Sequence, residues 1–457
     1  FKAKLTTDIT LNKDVLNSDG NLNTGANFTP WTPIGTDTDP FTGTFDGGGY
    51  TIRGLYIDGN TNNVGLFGCI GKNSLATGTV KNVTLADSYV SGAFEVGGIC
   101  GYNDGGILQN CHNAGRVSGT GDYTGGVCGE NHSGTLENSY NTGKVSGTGD
   151  LVGGVCGLNH GILENSYNTG EVSGTRDAVG GVCGINQGTL ENSYNTGDVS
   201  GSSNVGGVCG ENYLNCPVKV CYNTGKVTGT GNYVGGVCGK NLGRTVGKCY
   251  YLEGTSANAV GSGSGNETCE SKTALQFRNG DVAYQLQKDL GGTTQVWGQR
   301  IDPDDTGKTD KTPVLNSTSA YTVHKAAENS PCKRYSNTSG QTFNKHEYDD
   351  EHDVCIRCGA WQEATLNGDY YEIYNQGQLR WFANQVNNQN QPNINARLMN
   401  DITMDGTEWT PIGTGTIAFT GTFDGQGYTI SKLTCTDTNK DYVGLVGNAN
   451  GAAIQNV

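Results

Sequence analysis

Six times between residues 96 and 239 the chain writes V-G-G-V-C-G or a close variant, at intervals of 26 to 29 residues. Aligning the copies gives columns. Cysteine recurs at Cys100, Cys128, Cys156, Cys183, Cys209 and Cys238, and three residues later asparagine at Asn103, Asn131, Asn159, Asn186, Asn212 and Asn241. A second asparagine column runs through Asn113, Asn141, Asn168, Asn195 and Asn223. Beside it lie Tyr140, Tyr167, Tyr194, Tyr222 and Tyr250, with His112 in the equivalent first place. No 3.6-residue periodicity is visible, so a helical repeat is excluded. Each unit is a short alternating apolar run, a Gly/Asn turn and another such run. One unit has too little apolar surface to fold alone and must stack on its neighbours.

The fold class this implies is all-β: a right-handed parallel β-helix, one coil per unit, with equivalent residues about 4.8 Å apart along the axis. Val and Cys of the motif are expected to point inward as small hydrophobes. The asparagines are expected to pass side-chain amide bonds from coil to coil, and the tyrosines to stack. A catalytic group needs one special place, whereas these residues occur five or six times. They read as structural ladders.

Composition agrees with short strands and tight turns: 74 glycines, 9 prolines and 2 methionines in 457 residues. The glycine has no G-x-y period, which excludes collagen. A net charge of −15 opposes nucleic-acid binding, which needs basic surface. No apolar run reaches the roughly 18 residues that span a bilayer, so this segment is expected to insert in no membrane. The chain opens on Phe1 with no signal peptide before it, and reads as a piece of something longer.

"VGLFG" at Val64, "VGGICG" at Val96 and "FTGTFDGGGYTIRGLYI" from Phe41 resemble the GLUG-motif β-helix proteins. The resemblance implies a secreted or cell-surface bacterial protein, adhesin-like, or a region accessory to an IgA-specific metallopeptidase. This chain departs from the pattern by placing Cys where the repeat more often has an aliphatic residue. It covers residues 1–250 and returns near the end. "FKAKLTTDIT" at Phe1 matches "INARLMNDIT" at Ile394, "WTPIG" occurs at Trp31 and Trp409, and "GTFDGGGYTI" at Gly43 matches "GTFDGQGYTI" at Gly421. The chain therefore holds one β-helix (1–250) and the first coils of a second (363–457). "NQGQLRWFANQVNN" is expected to form a helix capping the latter, with Leu379, Trp381, Phe382 and Val386 inward.

Between them, 251–325 is expected to cap the first β-helix with short helices whose apolar stripe includes Leu275, Phe277, Val282 and Leu286. The acidic loop "DPDDTGKTD" lacks a bidentate Glu at the twelfth position of a calcium loop and reads as a solvated turn. Residues 326–362 form a small zinc-ribbon-like module: Cys355-x2-Cys358 with Cys332 and His346 would give a tetrahedral structural zinc site. His352 rivals His346, and a disulfide or a degenerate remnant is the alternative. The ladder cysteines have parallel side chains and are expected to stay free thiols. Cys216–Cys221 and Cys249–Cys269 are candidate disulfides. Cys111, Cys221 and Cys249 occupy a slot filled elsewhere by Ser139, Ser166 and Ser193, so that slot wants a small side chain.

The functional expectation is a non-catalytic adhesin, stalk or filament-like scaffold. Its partners would be surface glycans or proteins, with head-to-tail self-association or further chain at the open ends. Binding is expected where the repeat breaks, at "ENYLNCPVKV" (Glu211 to Val220) or in the long loop Asn12 to Phe28. The alternative is a polysaccharide-degrading β-helix enzyme or an accessory region of a surface peptidase. Against the enzyme, Asp46 and Asp424 both lie in G-T-F-D-G and so mark a turn, and coil Arg and Lys are scattered singly. An ice-binding face would need flat Thr-x-Thr columns, and the recurring "VSGTGD" gives a column of Ser118, Ser146, Ser173, Ser200 and Thr228, which is weak support.

Overall fold

The computed structural model describes residues 2–72, 77–243, 246–263, 268–302, 308–349, 353–436 and 441–457. The chain divides into two compact units, Phe1–Thr322 and Val323–Val457.

In the first unit, parallel strands stack in register into five long sheets of nine, six, eight, ten and seven strands. The pairing is coil on coil: Cys128 opposite Cys156, Asn131 opposite Asn159, Tyr167 opposite Tyr194. This is a parallel β-helix. Its lumen is filled by Cys100, Cys128, Cys156, Cys183, Cys209 and Cys238, the second valine of each motif, and a leucine column that includes Leu108, Leu136, Leu163 and Leu190, all fully buried. In the later coils the first valine of the motif goes elsewhere. Val152, Val179 and Val205 pack with Val145, Val172 and Val199 in a second, narrower apolar seam. The Gly-Gly between the two valines is where the chain passes close to its neighbour. A methyl group on Gly154 would stand 2.0 Å from Gly181 O and 2.5 Å from Asn168 Cγ, so no larger residue fits there.

Segment 251–322 departs from the expected end cap. The strands Val260–Gly263 and Glu270–Lys272 continue two of the sheets. Helices α1 (Ala274–Arg278) and α2 (Asp281–Leu290) and the buried Trp297 instead cover the flank of the tyrosine column. Phe277, Val282, Leu286 and Trp297 pack on Tyr194, Tyr222 and Tyr250. A Thr273/Gln276 capping box starts α1, and Gly291 closes α2 at φ 75°.

The second unit opens with the Cys/His module. It continues through a hairpin (Thr365–Asn367 with Tyr370–Ile373) whose second strand starts a parallel stack with Asn395–Leu398, Thr422–Asp424 and Ala453–Gln455. Helix α3 (Gln376–Asn388), N-capped by Asn375, lays Leu379, Phe382, Ala383 and Val386 into this unit's core beside Trp409, Phe419 and Phe423. Trp381 is only partly buried and meets Tyr371 edge-on at 5.1 Å. The internal copy extends to single bonds. Trp31 Nε1 donates to Leu66 O and Trp409 Nε1 to Leu445 O. Asp46 accepts from Gly48 N and Asn82 Nδ2, and Asp424 from Gln426 N and Asn456 Nδ2.

Candidate metal centre and the ladders

Cys332, His346, Cys355 and Cys358 converge in the small module, and their ligand atoms all lie within 4.8 Å of one another. Cys332 Sγ is 3.8 Å from Cys355 Sγ, and Cys358 Sγ is 3.3 Å from His346 Nδ1. Local backbone sets this up. Cys355 N donates to Ala360 O and Gly359 N back to Cys355 O, with Gly359 at φ 74°, so Cys355-x2-Cys358 forms a tight knuckle. Cys332 is held opposite by its N–H on Phe343 O. Cys332 and Cys355 are buried, while His346 and Cys358 reach the surface. A hydrogen bond from Cys358 holds Cys355 well below the usual thiol range, and burial raises Cys332. Three sulfurs and one imidazole nitrogen at these separations are a donor set that fits a tetrahedral zinc ion. The rival His352 and the centre of the acidic loop, 303–307, lie outside the described residues.

The ladders are internal. Asn103 Nδ2 donates to Asn131 Oδ1 at 2.7 Å, and the chain of bonds continues through Asn159, Asn186, Asn212 and Asn241 at 2.8–3.0 Å. The second column, Asn113 to Asn223, does the same at 2.8–2.9 Å. Tyr140, Tyr167, Tyr194 and Tyr222 stack with centroids 4.6–4.8 Å apart and planes within 8°. Each ladder cysteine donates its S–H to the carbonyl two residues on, as Cys183 does to Ile185 O at 3.0 Å. The thiol thus does something an aliphatic residue cannot.

All sixteen cysteines are thiols. Cys221 and Cys249 lie inward and bond to Lys219 O and Gly247 O, whereas Cys216 bonds within its loop to Leu214 O, so the bridge Cys216–Cys221 is not formed. Nor is Cys249–Cys269: both are thiols, and Cys249 Sγ donates to Gly247 O. The Ser/Cys slot asks for more than small size. Ser139 Oγ donates to Glu137 O and accepts from Cys111 N of the coil before.

The GLUG motif model matches residues 92–118 and 176–200, each containing one copy of the glycine-cysteine strand and its turn. Both matches lie in the parallel β-helix of the first unit, which fits a GLUG-repeat β-helix. Halomucin of Haloquadratum walsbyi is 36% identical over 117 residues, which are 25% of this chain and 1% of that protein. A protein of Evansella cellulosilytica provisionally named a Gly-rich membrane protein is 38% identical over 83 residues, 18% of this chain and 9% of that one. The chain thus spans a small fraction of either relative. A solved structure from Bacteroides ovatus, provisionally named an immunoglobulin A1 protease, aligns over 69% of this chain and 86% of its own with 17% identity and a TM-score of 0.36.

On the outside of the GLUG β-helix the positions flanking the first asparagine ladder do not repeat. One column reads Tyr102, Glu130, Leu158, Ile185, Glu211, Lys240 and the other Asp104, His132, His160, Gln187, Tyr213, Leu242. Here Glu130 Oε1 lies 3.4 Å from His132 Nδ1 and 4.0 Å from His160 Nε2. Burial raises the Glu130 carboxyl above its ordinary pKa, and burial followed by the charge of His132 lowers His160. Recurrence along the repeat does not mark these residues. The signal was the pair "CGENH" and "CGLNH", in which two of the chain's six histidines occupy one register position.

The two repeat breaks differ. The loop Asn12 to Phe28 is tied down: Val15 is buried, Leu16 N donates to Asp87 Oδ1, and Phe28 packs on Tyr56. The break after Glu211 instead exposes Tyr213 (37%), Leu214 (66%) and the neighbouring Leu242 (41%).

Proposed function

We propose that this chain is a non-catalytic, surface-displayed scaffold that binds glycans or proteins at the break in its repeat around Tyr213 and Leu214. The observation that carries this reading is the division of labour across the coil. The recurring Asn and Cys residues are buried and bonded within the frame and the recurring Tyr residues stack on one another, while apolar side chains stand exposed where the repeat is interrupted. Exposed aromatic and apolar residues on a rigid base are the usual material of a binding surface. The likeness to a halomucin and to a Gly-rich membrane protein supports placement outside the cell, with further chain or other copies meeting the open coils.

In this reading the Cys/His module carries a structural zinc held by Cys332, His346, Cys355 and Cys358, with every position filled and none left for substrate. Solid-phase binding of the full chain to mucins, glycans and matrix proteins tests the adhesin role, with product analysis of the same glycans. Saturable, selective binding without cleavage is expected. Cleavage, or no binding by folded protein, would overturn it. Zinc analysis tests the module. One equivalent is expected to remain on the purified chain and to be lost in Cys355→Ser.

A further inference from the structure

We propose that Glu130, His132 and His160 form a second metal site, for a divalent transition ion of the zinc class, on the outer face of two neighbouring coils. Their ligand atoms lie within 4.8 Å of one another, and both imidazoles approach the same carboxylate oxygen. A plain ion pair would need one histidine. Two imidazole nitrogens and one carboxylate oxygen suit zinc, cobalt or nickel, whereas calcium and magnesium prefer all-oxygen shells of six or more ligands.

The backbone under the site is fixed. Asn131 lies between Glu130 and His132, and Asn159 directly precedes His160; both are fully buried and joined by a 2.8 Å ladder bond. His160 N also donates to Asn131 O at 2.9 Å. Two rungs of a rigid frame therefore hold the three ligands, which is the preorganisation a metal site needs. The rings of His132 and His160 stand 5.4 Å apart at 65°, edge to face rather than stacked like the tyrosines. Tyr102 lies 5.9 Å from His132 on the other side. Glu130 is nearly buried while the histidines are partly exposed, with side-chain exposures of 13%, 44% and 31% for Glu130, His132 and His160. An ion would reach the site from solvent and keep water at its remaining positions.

The repeat supplies its own controls. Leu158 stands at the place of Glu130 one coil on, and Gln187 at the place of His160 in the coil after that, so His160→Gln and Glu130→Leu put residues into this frame that it already accepts. The test is isothermal titration of the tag-free full chain with Zn²⁺, in a Cys355→Ser background that removes the Cys/His module's contribution. The expected result is a binding event that survives Cys355→Ser and weakens by at least about tenfold in His160→Gln and in Glu130→Leu, the least that losing even an outer-shell partner costs a metal site. Co²⁺ in place of Zn²⁺ is expected to give visible bands without thiolate charge transfer. Zn²⁺ binding equal in the parent and both variants, or no event beyond the Cys/His module, would overturn the proposal. Near-UV circular dichroism of the tyrosine column confirms that each variant keeps its coils.

Discussion

A buried asparagine in this protein is both donor and acceptor to the coils on either side. Asn168 shows what that is worth: it receives Asn141 Nδ2 and donates to Asn195 Oδ1 and Gly170 O. Asn168→Ala removes two ladder bonds, while Asn141 Nδ2 keeps Gly143 O and Asn195 Oδ1 keeps the Gly197 N–H, so the loss should be roughly 1 kcal/mol per bond, read by urea unfolding of the first unit. Asn165 acts differently. It sits at φ 49° and its Oδ1 has no hydrogen-bond partner, so Asn165→Ala should cost about 1–2 kcal/mol through backbone strain alone, and Asn165→Gly far less. Asp424 gives a pH test. Hydrogen bonds from Asn456 and Gln426 hold its carboxyl at about 2 against an ordinary 3.8. Its contribution is therefore complete above pH 3.8 and lost as pH falls through about 2. Acid unfolding of the second unit should become shallower in that window in Asp424→Asn. The ladder place of Asn168 and the turn at Asp424 were legible because each position recurs, so one copy explains another; the left-handed position of Asn165 was not read. Arg380 was not legible. It is buried in the second unit on Asp405 at 3.0 Å and Glu408 O, it occurs in one copy only, and a lone Arg in a helix pattern reads as a solvated residue.

At the scale of elements, strands and register could be read from the spacing of the columns, since period 2 and a fixed coil length decide which face each residue takes. The helices were readable as stripes. The destination of α1 and α2 was not, because α2 and the segment after it bury apolar surface against the flank of the tyrosine column, a contact far apart in sequence. Trp297 is the hinge of that packing. It lies 6.0 Å from Tyr194 and 5.6 Å from Tyr222, whose hydroxyl donates to Pro313 O at 2.6 Å. Trp297→Ala should cost about 3–5 kcal/mol and loosen the flank while the coils persist. Hydrogen exchange would then rise in 274–315 and stay low in 128–195. The separate seam of Val152, Val179 and Val205 also escaped the sequence, since V-G-G-V-C-G reads as one inward run and the turn at Gly-Gly divides it.

The whole molecule combines a frame that repeats with chemistry that does not. The frame consumes the residues that first draw the eye. The Cys/His module, the Glu130 cluster and the Tyr213 break are all singular, and only the first had a recognisable spacing. Binding then resides in the singular positions. Saturation binding of the full chain to the glycan, mucin and matrix panel, alongside a Tyr213→Ser/Leu214→Ser variant, tests this. A selective partner is expected, lost by the variant while its tyrosine circular dichroism is unchanged. A folded chain that binds nothing on the panel, or a variant that binds as well as the parent, would contradict it.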